Sequence, residues 1–237
     1  MNNKLKRSIA VVLTAAAICN SLGTTTGFSK ININSVVASA ADVVPQTSGT
    51  TNKYFYSHAD GYSLYFSVTS SSAKTATLTG CITNKDTVDI NIPYTVSFNG
   101  VNYKVTSIGE NAFRNQERIE NVRGNGCINE INSFAFAGCT NLSYVSGLFN
   151  TISFGNSAFM NCSKLENANF LDKAKKIGDN VFRGCTSLEY VYAPKLESMG
   201  SYAFAQCYGL TNINLKDSTI KTIPNYAFAY MGSTGGK

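Results

Sequence analysis

From Val105 onward, apolar residues fall at fixed offsets around a small-residue–Phe pair that occurs six times: Ala112-Phe113, Ala135-Phe136, Ala158-Phe159, Val181-Phe182, Ala203-Phe204 and Ala227-Phe228. The steps between the phenylalanines are 23, 23, 23, 22 and 24 residues. Five residues before each Phe stands a bulky apolar residue: Ile108, Ile131, Phe154, Ile177, Met199 or Ile223. Six residues after it come Ile119, Leu142, Leu165, Leu188 and Leu210, and three further on Val122, Val145, Ala168, Val191 and Ile213. One such unit is too small to bury its own apolar side chains. A period in the twenties therefore predicts coils that stack, each covering the next.

The polar positions between these columns predict the elements of a coil. Three residues before the Phe stand Glu110, Ser133, Asn156, Asp179, Ser201 and Asn225, five of them short side chains that accept hydrogen bonds from the N–H groups opening a helix. Two residues after it, Asn115, Gly138, Asn161 and Gly184 tolerate a left-handed backbone and so end a helical turn, while Gln206 and Tyr230 break that column. One short helical or 3₁₀ turn per coil, carrying the Phe inward, is expected. Segments such as Leu188–Ala193 (LEYVYA) and Leu210–Leu215 (LTNINL) predict short strands that pair in parallel from coil to coil. If Val122, Val145, Ala168, Val191 and Ile213 face inward, their neighbours face out. Those neighbours are Asn121 and Arg123, Tyr144 and Ser146, Asn167 and Asn169, Tyr190 and Tyr192, Asn212 and Asn214. This Tyr/Asn-rich, almost uncharged row is the candidate partner-binding surface, since both side chains give contact area and adaptable hydrogen bonds. The same residues also suit a merely solvated sheet face. Tyr190 and Tyr192 are the expected hot spots.

The pattern Ile-Gly-x-x-Ala-Phe-x-x-Cys-x-x-Leu-x-x-Val, carried best by Ile177–Val191 and Ile131–Val145, resembles the BspA-like class of leucine-rich repeats. The first copy has Gln116 and the last Met231 where the pattern has Cys. The resemblance implies an α/β repeat solenoid over 105–237, with five full right-handed coils and a partial sixth, each holding a short parallel strand and one helical turn. It also implies a non-catalytic, secreted or cell-surface interaction or adhesion module whose partner is a protein of a host or neighbouring cell. Glycan binding on the same Tyr/Asn face is the alternative. With the strand half of the sixth unit missing, self-association through that end of the stack is expected.

Ahead of the repeats, 54–104 reads as a β-rich N-terminal cap. Ser63–Thr69 and Thr75–Thr79 alternate like strands, Asn99-Gly100 gives a two-residue hairpin signal, and Ile92-Pro93 fits a strand end. A separate carbohydrate-binding module is the other reading of this segment. Residues 1–40 read as a secretory signal: Lys4, Lys6 and Arg7, then the apolar run Ile9–Ile18, then Ala38-Ser39-Ala40 as a small-x-small cleavage site. That run falls short of the roughly 20 residues of a membrane span. The polar stretch 41–53 reads as a flexible linker.

Charge follows from this division. Four of the 20 basic residues and none of the 14 acidic ones lie in residues 1–40, so the remainder carries a net of +2. Lys173–Lys176 is its one basic cluster, and no electrostatic footprint for nucleic acid is present. Six of the seven cysteines lie beyond the leader. Cys139, Cys162, Cys185 and Cys207 share one column, three residues after their Phe, where a thiol behaves as a small buried hydrophobe rather than a disulfide partner or metal ligand. Cys81 and Cys127 lie off that column, and their pairing is open. The lone histidine, His58 in SHADG, is expected in an exposed turn, and a weak hydrolase built on it is the remaining catalytic reading. No metalloprotease helix, phosphate loop or dinucleotide fingerprint accompanies it, so no enzyme activity, cofactor or metal is expected.

Overall fold

The computed structural model describes residues 54–59 and 61–231, with side-chain surroundings given from Gly61 onward; the expected leader 1–40 and linker 41–53 lie outside the described residues. Fourteen strands follow one another: β1 Tyr54–Ala59, β2 Tyr62–Ser70, β3 Thr75–Thr83, β4 Asp89–Asn91, β5 Thr95–Phe98, β6 Val101–Ile108, β7 Asn121–Arg123, β8 Glu130–Ile131, β9 Tyr144–Ser146, β10 Ser153–Phe154, β11 Lys176–Ile177, β12 Tyr190–Tyr192, β13 Ser198–Met199 and β14 Asn212–Asn214. The first three form antiparallel hairpins, and β5 and β6 another, closed by Asn99 (φ 50°) and Gly100 (φ 73°) as that two-residue turn requires. His58 lies in β1 opposite Ser63 rather than in the expected turn, because the chain reverses only after Ala59.

β6 joins the N-terminal hairpins to the coils. On one side it pairs in parallel with β3; on the other it takes β5 at its start and β8 at its end. From β8 the sheet continues through β10, β11 and β13, one parallel rung per coil. Each rung places one member of the column Ile108, Ile131, Phe154, Ile177, Met199 in the core. The second column, Val122 to Ile213, forms separate parallel sheets, β4-β7-β9 and β12-β14. Asn167 adds to the second of these by an isolated bridge to Tyr190. Each coil thus touches its neighbours through two strand columns, where the sequence had suggested one.

Between the columns runs the Phe segment, and it is not helical. Among the described residues the only helical element is a 3₁₀ turn, Asn169–Leu171. The Phe segment is a run of overlapping turns whose N–H groups alternate in target. In the second coil, the N–H groups of Ala135, Ala137 and Cys139 reach back to Asn132, Phe134 and Phe136 within the coil. Those of Phe134, Phe136 and Gly138 donate instead to Asn156, Ala158 and Met160 of the next coil, at 2.9, 2.7 and 2.8 Å. A helix would turn its later donors inward along its own chain; sharing alternate donors with the next coil goes with left-handed residues at two places. One is the expected position after the Phe, which Gln206 (φ 61°) and Tyr230 (φ 61°) also adopt. The other, two residues before the Phe, holds Asn111, Phe134, Ser157, Asn180, Tyr202 and Tyr226, all at φ between 56° and 60°.

The polar residues expected to cap helices serve the stack as well. Asn156 Oδ1 accepts the N–H of Asp179, and Asp179 Oδ1 accepts the N–H of Ser201, at 2.9 and 2.8 Å. At the centre the six rings form a single file: Phe113, Phe136, Phe159, Phe182, Phe204 and Phe228 stack face to face with centroid separations of 4.8, 4.9, 5.5, 5.2 and 5.6 Å. The separation of the first pairs matches the strand spacing of about 4.8 Å, so the rings repeat at the pitch of the backbone ladder. The cysteine column lies beside this file. Each Sγ donates to the carbonyl of the preceding coil's Phe: Cys139 to Phe113, Cys162 to Phe136, Cys185 to Phe159 and Cys207 to Phe182, at 3.0 to 3.1 Å.

Candidate functional site

The row expected to face a partner rests on the three-residue strands of the second column. Their burial alternates as the pattern requires except in β14, where Ile213, expected inward, is half-buried like Asn214. Val122, Val145, Ala168 and Val191 are buried, while Arg123, Tyr144, Asn169 and Asn212 are exposed and Asn121, Ser146, Asn167, Tyr190, Tyr192 and Asn214 half-buried. Parallel pairing brings like positions side by side. Asn121 lies beside Tyr144 and Arg123 beside Ser146. Farther along, Asn167 lies beside Tyr190, then Tyr190 beside Asn212 and Tyr192 beside Asn214.

The row has one break. At the third coil the chain leaves the sheet after Ala168 and enters the 3₁₀ turn, so Asn169 is not on a strand. That turn carries Phe170 into the core, where its ring packs 5.3 Å from Phe159 and 5.9 Å from Phe154. The row therefore divides into a first half around Asn121, Arg123, Tyr144 and Ser146 and a second around Asn167, Tyr190, Tyr192, Asn212 and Asn214.

Sequence reasoning missed one contributor. β4 pairs with β7, so Asp89 and Asn91 extend the row beyond the first repeat, with Asp89 Oδ1 accepting a hydrogen bond from Asn121 Nδ2 at 2.8 Å. The signal was present, since Asp89-Ile90-Asn91 repeats the polar–apolar–polar order of Asn212-Ile213-Asn214. Asp89 and Arg123 make the first half of the row polar and charged; the second half is neutral.

The remaining chemistry-bearing groups are not gathered at this row. All six described cysteines are free. Burial pushes the thiols of Cys81, Cys139 and Cys207 up to about 12, with the neighbouring Cys139 adding to the shift at Cys81. The same cause raises Cys162 and Cys185 well above the ordinary thiol range. Thiols so held are poor nucleophiles and poor metal ligands. Cys127 is half-buried; its N–H donates to Asn125 Oδ1 at 2.7 Å. Among the described residues no group of His, Cys, Asp and Glu is placed to hold a metal ion, and no helix is long and apolar enough to cross a membrane.

The repeats match known proteins at two levels. No curated protein matches the chain. A leucine-rich cell surface protein from Faecalibacterium prausnitzii A2-165 has a similar structure, with 28% identity and a TM-score of 0.64 over 74% of this chain and 46% of that one. The chain thus spans about half the length of that protein. Leucine-rich repeat proteins from Treponema pallidum (19% identity, TM-score 0.53, 62% of this chain and 77% of that one) and Bacteroides ovatus (22%, 0.52, 73% and 44%) share the fold. The BspA type leucine rich repeat region is matched in six copies over residues 106–234. With more than half of its length accounted for by those six copies, the chain belongs to the BspA-type leucine-rich repeat family.

Proposed function

We propose that this chain is a non-catalytic interaction module, secreted or held loosely at a cell surface, that engages a partner protein through the Tyr/Asn row. On this reading 1–40 is a removable leader, 41–53 a linker, 54–104 a cap and 105–237 the binding solenoid. The observation that carries it is the register of the second strand column, which sets Tyr190 and Tyr192 beside Asn212 and Asn214 on one regular frame. Aromatic and amide side chains held in rows by a rigid ladder lose little entropy when a partner is bound. The Faecalibacterium relative is described as a cell surface protein, and an adhesive role at a surface is the corresponding reading here.

The test is binding of the chain to a panel of immobilised matrix and cell-surface proteins, beside a glycan array, with a Tyr190→Ala/Tyr192→Ala double variant. Expected is a protein ligand whose binding the double variant loses, with its circular dichroism unchanged. Binding to glycans alone would transfer the row to sugar recognition, and full binding by the variant would remove the row from the interface.

A further inference from the structure

The sixth coil is docked on one side and detached on the other. On the Phe side, Phe204 and Gln206 donate to Ala227 and Ala229, each at 2.8 Å, and the ring of Phe228 stacks on Phe204. On the sheet side one bond remains, from the Thr219 N–H to the Leu196 carbonyl at 3.0 Å, and beyond it the ladder stops. In successive coils the residue after the apolar column donates its N–H to the coil before: Gly109 to Leu78, Asn132 to Ile108, Gly155 to Ile131, Gly178 to Phe154 and Gly200 to Ile177, at 2.6 to 2.9 Å. The sixth residue of this series is Pro224, which has no N–H to give.

The neighbouring bonds are lost with it. Lys175 and Lys176 donate to Ile152, and Glu197 and Ser198 to Lys175, but no N–H of residues 220–224 reaches the next acceptors, Glu197 and Met199. The bond that Asn180 makes to Ser201 has no counterpart between Tyr202 and Asn225. Ile223, whose equivalents are all buried, is 51% exposed. A cleft of about 330 Å³ opens between β13 and residues 219–222, lined by Glu197, Ser198, Met199, Thr219, Lys221 and Thr222.

We propose that this cleft is a strand-accepting site, in which an extended acidic segment of a partner protein adds to the outer edge of β13. The backbone chemistry selects an extended chain: the carbonyls of Glu197 and Met199 lie two residues apart, the spacing at which one strand presents successive N–H groups to its neighbour. Charge selects the acid. Glu197 is already paired with Lys175 at 2.8 Å, whereas Lys221 has no ion pair among the described residues. A second copy of this chain brings its own Lys221 to the same cleft, like charge against like. Since the opening is made by Pro224 within the stack, it is independent of the Tyr/Asn row and of any ligand bound there.

The experiment uses the full chain and a dye-labelled, end-blocked peptide alternating valine with aspartate, read by fluorescence anisotropy. A valine–lysine peptide and a valine–aspartate peptide with proline at alternate positions are the controls. Expected is saturable binding of the acidic peptide only. Pro224→Gly, which restores the missing donor and lets coil six zip onto β13, abolishes it; Lys221→Glu weakens the acidic peptide about threefold or more, as one exposed ion pair allows, and admits the lysine peptide. Equal binding by Pro224→Gly or by the proline-containing peptide overturns the site. A dimer that Pro224→Gly dissolves, with no peptide bound, assigns the edge to a second copy. Binding that emerges only when residues 232–237 are removed assigns it to the chain's own tail. Either of these outcomes overturns the partner-segment assignment.

Discussion

Phe159→Ala tests the central file directly. The ring is fully buried, stacks on Phe136 at 4.9 Å and on Phe182 at 5.5 Å, and touches Phe170 at 5.3 Å and Phe154 at 6.4 Å. Truncating a buried Phe costs about 3–5 kcal/mol. Two stacked faces are lost at about 0.5–1.5 kcal/mol each, which places this site toward the upper end, about 4–5 kcal/mol. With a urea dependence of about 2 kcal/mol per molar, the unfolding midpoint falls by about 2 M. Phe228→Ala is the internal comparison. Its ring is half-buried and stacks only on Phe204 among the described rings, so its cost is about 1–2 kcal/mol. Phe159→Leu separates stacking from volume, since it keeps most of the apolar bulk and loses both ring faces. The assay is urea unfolding followed by circular dichroism on all three variants. A midpoint shift under about 0.5 M for Phe159→Ala, or one no larger than that of Phe228→Ala, refutes the file as the core of the stack.

Alkaline pH should destabilise the fold. Each buried thiol titrates higher folded than unfolded, so above an unfolded value of about 8.5 the unfolded chain releases protons that the folded one retains. Stability is then whole below that pH and lost between it and the folded values of about 12 for Cys81, Cys139 and Cys207. Urea midpoints measured at neutral pH and at intervals up to pH about 10.5 should fall progressively, and less steeply when the four column cysteines are replaced by Ala; a flat profile contradicts their burial. Asp179→Ala removes the acceptor of the Ser201 N–H and should cost about 1 kcal/mol by thermal unfolding, with Asp179→Asn recovering most of it.

The ring file and the strands of the Val column could be read from the chain because each rests on one large side chain at a constant offset. The strand column that carries Ile108, Ile131, Phe154, Ile177 and Met199 could not. Its rungs are two residues long, as in Glu130–Ile131 and Lys176–Ile177, too short for any alternation to register. The turns were misread for a related reason. Asn and Gly advertise a left-handed backbone, whereas Phe134, Tyr202 and Tyr226 do not, and local preference opposes that conformation by about 1–2 kcal/mol. At Phe134 the bond to Asn156 in the next coil overrides it, a contact between residues far apart in sequence. The break in the candidate row likewise depends on Phe170 fitting between Phe154, Phe159 and Phe182, which no spacing rule contains. Most of the row itself was readable; its extension by Asp89 and Asn91 needed the pairing of β4 with β7.

The bonds between coils all run along the axis of the stack, and this sets its response to mechanical load. A pull along that axis strains one interface after another in series, so the coil with fewest bonds to its neighbour yields first. Each coil released pays out about 23 residues, or about 75 Å of slack, while the coils behind it remain wound. Coil six, already parted from β13, is where such uncoiling begins, giving a tether that lengthens in regular steps before it breaks.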